Sequence, residues 1–358
     1  MTLLRSSIIG LSEVISAARA EPAPHAVLGT RMPYTHASAY AVSPTTQLVA
    51  VCDIIPALVD RFRERWGAHW PALKTYADYS AMLAETSLDI LSICTPDHLH
   101  ADMVVAACEA GVKGIICEKP IATTIRDAER MIAAVEQHGV KLSVEHTRRW
   151  IYEYHQAREW VRSGRIGRLR RMVGTLNGER AMLFRNGTHL IDLLCFYAES
   201  EPAWVQGVLD EDFEHYGPRY AGDGGRDPRT DPGALGIIHF QNGVRALYQG
   251  SQGTAGHVAL DLVGDEGRLH IGASDHQFTL MTSGDGPYDQ VQRSLPRQHT
   301  TRGALQAVVE EMAQLVTGGG ESVSPPREAL RSVQIMLGLL QSHERGGARV
   351  PLPTTDLS

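Results

Sequence analysis

LDILSICTPDHLHADMVVAACEAGVKGIICEKP, residues 88–120, decides the fold. Residues 88–95 form a continuous apolar run that Thr95 and Pro96 break. Residues 99–110 then carry apolar side chains at helical spacing, and residues 113–118 form a second buried run that Pro120 stops. Strands flat with hydrophobic residues on both sides of an amphipathic helix make a parallel βαβ unit, because only a sheet covered on both faces buries such strands completely. The same alternation extends in both directions. Upstream lie QLVAVCD (47–53) and a helical stretch over 57–66; downstream lie the helical IRDAERMIAAVEQHG and the strand KLSVEH. Right-handed crossovers turn this series into a doubly wound domain spanning residues 1–146.

SIIGLSEVI, residues 7–15, supplies the first strand and its glycine. A dinucleotide-binding turn reads G-x-G-x-x-G. After Gly10 the corresponding slots here hold Ser12 and Ile15.

Beyond residue 146 the pattern changes. A helix is expected over 152–164. LRRMVGTL, AWVQGVLD, ALGIIHFQNG, VRALYQGSQG, HVALDLVGDEG and RLHIGA follow, several joined by Gly or Asn-Gly turns. These read as hairpins of a mostly antiparallel, open sheet, interrupted by a helix near 187–198. Residues 216–233, rich in Gly, Pro, Asp and Arg, read as a long and mobile loop. Two terminal helices, 303–317 and 325–343, close the chain. The expected organisation is an N-terminal Rossmann domain (1–146) followed by an α+β substrate and oligomerisation domain (147–358), with helix 325–343 packing back on the first domain.

The totals fit two globular domains: 358 residues, 43% of them hydrophobic, with a formal charge of −7. The negative balance argues against nucleic acid as a partner. Five cysteines without C-x-x-C spacing read as reduced thiols of a cytoplasmic protein, so neither a disulfide framework nor a metal site is expected. No apolar run reaches the roughly 18 residues that a membrane-spanning helix needs. The N-terminus imitates a signal peptide, with Arg5 before an apolar stretch and Ala18-Arg19-Ala20 after it. Glu13 interrupts that stretch, and cleavage would delete the first strand.

Candidate chemical residues sit at strand ends, where open α/β sheets bind ligands. Asp53 ends the second strand, and an acid there accepts hydrogen bonds from ribose hydroxyls, although a plain surface acid is an equal reading. Ile54 brings no cation for a 2′-phosphate, which favours NAD over NADP. The Thr95-Pro96 turn is expected to touch the cofactor. His98 and His100 either touch it too, cap the following helix, or face solvent. Glu118 and Lys119 reach the same edge; a lysine there orients a substrate hydroxyl and favours the developing alkoxide.

Asp53, Thr95-Pro96-Asp97-His98-Leu99-His100 and Glu118-Lys119-Pro120, in this order and spacing, resemble the Gfo/Idh/MocA oxidoreductases, NAD(P)-dependent sugar and cyclitol dehydrogenases. RRWIYEY (148–154), SGRIGRLRRM (163–172), GTHLIDLL (187–194) and the C-terminal LRSVQIMLGLLQSHERGGARVPLP resemble further family segments. The resemblance implies Lys119 as the catalytic lysine and His189 as the general acid/base, a task that suits a histidine's near-neutral pKa. It also implies a carbohydrate or cyclitol substrate and a homodimer or homotetramer built on the open sheet face. Asp192, three residues after His189, either supports it or is a surface acid.

Two departures from the family pattern stand out. Family members often carry an aspartate four residues before the histidine; here that slot is Arg185. A guanidinium pairs well with a carboxylate or sulfonate, so Arg185, with Arg148, Arg149 and Trp150 as further substrate contacts, points to an anionic sugar. The alternative is an Arg185 that faces solvent. The family helix reading roughly xxHAxAY arrives late, as Tyr34–Tyr40, so residues 13–33 read as an insertion that wraps the cofactor or adds a subunit contact. Three functions follow: a dehydrogenase; an NAD-dependent glycosidase working by C3 oxidation, elimination, hydration and re-reduction; and, last, an idle nucleotide-binding protein.

Overall fold

The computed structural model describes residues 3–17, 35–223, 227–272, 277–286, 289–296 and 303–353. In chain order the first part runs β1 (Leu4–Ile9), α1 (Glu13–Ser16), α2 (His36–Val42), β2 (Thr46–Cys52), α3 (Pro56–Trp66), β3 (Lys74–Tyr76), α4 (Tyr79–Glu85), β4 (Ile90–Ile93), α5 (His100–Glu109), β5 (Gly114–Cys117), α6 (Ile125–His138) and β6 (Lys141–Val144). It continues with α7 (Tyr152–Arg162), β7 (Leu169–Asn177), a π-turn (Leu183–Gly187), α8 (Thr188–Ala198), β8 (Pro202–Leu209), β9 (Ala234–Phe240), β10 (Arg245–Ser251), β11 (His257–Gly264), β12 (Gly267–Gly272), β13 (Phe278–Ser283) and β14 (Gln290–Ser294). The chain closes with α9 (Ala304–Gly318), α10 (Pro326–Glu344) and β15 (Val350–Pro351).

Six strands form one parallel sheet in the order β3-β2-β1-β4-β5-β6. This is the doubly wound order, with the strand sequence reversing between β1 and β4. Local chemistry starts the helices: Pro56 opens α3, Asp78 caps α4 by accepting from the Ser80 N–H, and Thr35 and Ser38 form a capping box on α2. The core joins Ile8, Leu48, Val51, Ile90 and Ile116 of the sheet to Phe62, Trp66 and Trp70 on one side and to Val308 and Met312 of α9.

The sequence boundary needs correction. The first compact unit comprises Met1–Ala122, Arg126–Trp150 and His299–Pro326; the second comprises Thr123–Ile125, Ile151–Gln298 and Arg327–Ser358. The change thus falls after Trp150 rather than at 146, and α9 returns to the first unit. Gly114 helps: a Cβ there would lie 2.5 Å from Met312 Sδ, so glycine in β5 lets the Met312 side chain of α9 settle on the sheet. The helix expected over 325–343 is α10. α10 belongs to the second unit, where Leu339 fills the space left by Gly207 and Gly236, and the Ser342 hydroxyl accepts from the Gly207 N–H at 2.9 Å.

The second unit holds a nine-stranded sheet, β14-β13-β12-β11-β7-β10-β9-β8-β15, antiparallel except for β7 with β10. Helices cover one face. On the other, β8, β9 and β10 expose Val208, Leu235, Ile237 and Leu247.

Candidate active site

In the first unit, Gly10 ends β1 with φ +91°, and a Cβ there would stand 2.5 Å from the Cys94 carbonyl oxygen at the end of β4. Only glycine fits both the backbone angle and the gap. The Asp53 carboxylate accepts from the Leu11 N–H at 2.7 Å and from the Ile55 N–H at 2.9 Å. Asp53 therefore ties the glycine turn to the end of β2 while staying half-buried beside Ile54, which is 80% exposed. Ser12 is exposed and makes no cap bond with its side chain.

The late-arriving helix is a split helix. α1 begins directly after Ser12, buries Ile15 and packs on α2, and the Thr35 hydroxyl donates to the Ala17 carbonyl at 2.9 Å. Trp66 Nε1–H donates to the Ser16 carbonyl at 2.7 Å. Ile15, Ser16 and Ala17 are thus buried in the domain, a correction to the insertion expected over 13–33. Residues 18–34, where the remainder of the insertion lies, are outside the described residues.

At the ends of β4 and β5 the expected residues separate. Thr95 and Pro96 are half-buried and His98 is exposed at the sheet edge. His100 is fully buried, with its ring nitrogens 3.0 Å from the Thr95 carbonyl and 3.1 Å from the Pro120 carbonyl. It clamps two turns together, which corrects its assignment as a cofactor contact. Lys119 is 8% exposed and precedes a cis peptide bond to Pro120. Arg149 is fully buried and donates from Nη1 to the Val323 carbonyl at 2.9 Å; Trp150 donates from Nε1 to Glu311 at 3.1 Å. Both tie the segment to α9 and the turn after it, and the full burial of Arg149 corrects its assignment as a substrate contact. Arg148 is half-buried in the same 3₁₀ turn.

Beside Glu118 lies a cluster that sequence reasoning missed. His36 Nε2 is 2.8 Å from Glu145 Oε2 and 3.5 Å from Glu118 Oε1; its Nδ1 is 3.3 Å from the Ser92 hydroxyl, itself 2.8 Å from the Tyr40 hydroxyl. Burial opposes charge on His36, but Cys94 and the two glutamates outweigh it and hold the imidazole well above its usual range. Because burial keeps the Cys94 thiol up at about 11, it is neutral near pH 7, and the carboxylates do the holding there. Burial and the Glu118 charge push Glu145 up to about 7. Burial would raise Glu118 too, but the His36 hydrogen bond and the Lys119 charge hold it well below the carboxylate range. The available signals were His36 in the xxHAxAY segment and an acid, Glu145, ending a buried strand.

The second unit carries His189, half-buried at the second residue of α8. The helix is entered through the π-turn, and Asp231 closes that turn: its fully buried carboxylate accepts from the Phe184 N–H at 3.0 Å and the Arg185 N–H at 2.8 Å. Leu183 N–H donates to the Pro232 carbonyl at 2.7 Å, and Tyr220 stacks on Phe184 with ring centroids 4.0 Å apart. The described part of the 216–233 loop is therefore anchored rather than mobile. Asp192 is fully buried, which removes it from direct substrate contact and excludes a surface acid. Arg185 is half-buried; burial and the Arg185 charge together hold Arg180 below its usual range, so two guanidiniums share this corner.

These residues fit a dinucleotide at the carboxyl edge of the first sheet: a glycine that only glycine can be, an acid at the end of β2, and an exposed apolar face beside it. The comparisons with known proteins agree. Among the described residues no helix is long and apolar enough to cross a membrane. The chain is 29% identical over 231 residues to D-glucoside 3-dehydrogenase of Escherichia coli K12, covering 58% of this chain and 63% of that protein. It is 25% identical over 282 residues to levoglucosan dehydrogenase of Pseudarthrobacter phenanthrenivorans, covering 67% and 71%. Against a dihydroxycyclohexadiene-type dehydrogenase of Comamonas testosteroni the chain spans only 50% of the relative's length. An oxidoreductase from Agrobacterium radiobacter, crystallised with NAD+, L-tartaric acid and magnesium, shares the fold over 98% of both chains, with a TM-score of 0.75 at 18% identity. Residues 25–146 match the oxidoreductase-family NAD-binding Rossmann domain, and residues 154–270 match the GFO/IDH/MocA C-terminal domain. The first match begins beyond β1 and Gly10, yet β1 pairs in parallel with both β2 and β4. With both of its domains matched, the chain belongs to the Gfo/Idh/MocA family of oxidoreductases.

Proposed function

We propose that this protein is a nicotinamide-dependent oxidoreductase acting on a secondary hydroxyl of a sugar, sugar acid or cyclitol. The observation that carries the reading is Lys119, nearly buried at the carboxyl edge of an NAD-binding sheet beside the ionised Glu118. Gly10, Ser12, Asp53, Ile54, Thr95, Pro96, His98 and Glu118 hold the cofactor. The exposed Ile54, with no cation beside it in sequence, favours NAD over NADP. The bound nicotinamide supplies the hydride acceptor. Lys119 donates a hydrogen bond to the substrate oxygen and steadies the alkoxide as the C–H bond breaks. His189 takes the hydroxyl proton. Asp231 fixes the turn that presents His189.

NAD titration followed by NADH absorbance across a panel of sugars, sugar acids, cyclitols and glycosides tests this reading. Lys119→Ala and His189→Ala are each expected to lower kcat/KM on the order of 10²–10⁴-fold while NAD still binds. No binding of NAD or NADP at millimolar concentration would sink the enzyme reading and leave an idle nucleotide domain. Arg180 and Arg185 sharing one corner favour an anionic substrate, so uronic and sulfonated sugars belong in the panel. Glycoside cleavage without net NADH would identify the recycling glycosidase instead. The apolar side chains exposed on β8–β10 support a homodimer or homotetramer through that face.

A further inference from the structure

The buried group at His36 is more than the reaction just described uses. Four segments of the first unit meet there: α2 brings His36 and Tyr40, β4 brings Ser92 and leads to Cys94, β5 brings Cys117 and leads to Glu118 and Lys119, and Glu145 follows β6. His36 is 1% exposed and Glu145 4%. A buried carboxylate and imidazole, with the partly exposed Glu118 beside them, are costly, and apolar side chains in the place of His36 and Glu145 would stabilise a purely structural core better. The 2.8 Å between His36 Nε2 and Glu145 Oε2 is a charge-assisted hydrogen bond. Ligands around a metal with bonds near 2.0–2.1 Å keep about 3.3 Å apart, so the spacing favours a proton over a cation.

We infer that His36, Glu145 and Glu118 form a proton store beside Lys119, which releases a proton to solvent when oxidised nicotinamide cofactor binds and recovers one when the cofactor is reduced. The inference rests on the first unit binding NAD. With His36 protonated, the trio carries net charge −1 when both carboxylates are ionised and 0 when Glu145 holds a proton. A positive ring arriving at this edge favours the ionised state; its neutralisation on reduction favours the protonated one. The atoms balance. The substrate C–H bond breaks with its electron pair leaving as hydride to the cofactor. The substrate O–H bond breaks as its proton passes to His189, which later gives it up to solvent; Glu145 regains its own O–H bond with a proton drawn from solvent once the ring's charge is gone.

The surrounding charges leave Glu145 as the group that responds near neutrality, since burial has pushed it up to about 7. Burial holds Cys94 at about 11 and Cys117 well above its usual range, so both are neutral thiols, and it pushes Tyr40 up to about 12. Asp97 lies in the turn after β4, and His146 and Arg149 follow Glu145. On α9, Glu311 is bonded to the Trp150 indole and the Val323 N–H.

Calorimetric titration of the full chain with NAD+ and with NADH, in buffers of low and high ionisation enthalpy, counts the protons exchanged. On the order of half a proton should leave per NAD+ bound at pH 7, fading towards pH 5 and pH 9, with NADH releasing far less. Glu145→Gln should bind NAD+ and release essentially none. Buffer-independent NAD+ heats in the wild type would overturn the inference, as would equal release with NADH or a folded Glu145→Gln that releases as the wild type does. Stoichiometric metal in the purified protein would overturn it too. Should Glu145→Gln fail to fold, the wild-type contrast between NAD+ and NADH still decides. Failure of NAD+ to bind at all would instead strike the NAD-binding reading, and the inference with it.

Discussion

The two units fix their chemical residues by different means. Lys119 stands next to a network of side chains that hold one another by charge: His36 against Glu145 and Glu118. His189 stands on a helix whose entry turn is held by one carboxylate, Asp231, bonded to two backbone N–H groups. The first arrangement answers to pH, because each member's charge depends on its neighbours. The second hangs on a single side chain. The first unit's arrangement is thus sensitive to protons and the second's to mutation.

The sharpest way to break this contrast is Asp231→Ala. It strands two buried backbone donors that now bond a charged acceptor, at about 1.5–3 kcal/mol each. We expect a loss of about 4 kcal/mol in urea unfolding of the second unit. The first unit should instead respond to pH. Glu145 binds its proton more tightly folded than unfolded, so the stability it contributes is present at low pH. That stability fades as pH rises from the ordinary carboxylate value of 4.5 towards about 7. His36, raised when folded, stabilises fully below its ordinary 6.5 and loses that only as pH climbs through its higher folded value. Glu118, lowered, gives way only as pH falls below the usual carboxylate range. Between pH 5 and 7 the Glu145 contribution dominates, and a decline on the order of 2–3 kcal/mol is expected. Glu145→Gln should flatten it; an unchanged slope in thermal unfolding against pH would show that the charge network is not what holds this half.

The same contrast explains what could be read from the sequence. The parallel sheet, its carboxyl edge and the Glu118-Lys119-Pro120 segment were legible because each lies within one strand and its turn. The His189 helix was legible from GTHLIDLL. The partners were not, because they meet only through the fold: His36 and Glu145 are 109 residues apart, and Asp231 and Arg185 are 46 apart. An apolar stripe shows that a helix packs but not on what, which is why α9 was assigned to the wrong unit. Burial reversed polar readings: His100 and Arg149 were offered as ligands in sequence and are interior groups in the structure, and Asp192 is no surface acid.

Two smaller effects sharpen the comparison within the first unit. Gly10→Ala forces φ +91° on a residue with a Cβ and drives that Cβ towards the Cys94 carbonyl. A loss of about 2 kcal/mol is expected in urea unfolding, with weakened NAD binding, because β1 and β4 must part to admit the methyl group.

Ser12→Ala is the mildest change and isolates function from fold. The Ser12 side chain is exposed and makes no bond to the helix it precedes, so its removal should leave thermal stability within about 0.5 kcal/mol. The Leu11 N–H is already committed to Asp53, which leaves Ser12 as the next donor after the glycine turn. If its hydroxyl replaces the second glycine's close backbone approach with a hydrogen bond to the pyrophosphate, NAD affinity should fall by a few-fold to about tenfold, equivalent to about 0.5–1.5 kcal/mol. Fluorescence titration with NAD measures it. An unchanged affinity would mean that the turn binds through its backbone alone, and that Asp53, by pinning Leu11, has taken over the shaping role the missing glycine plays elsewhere.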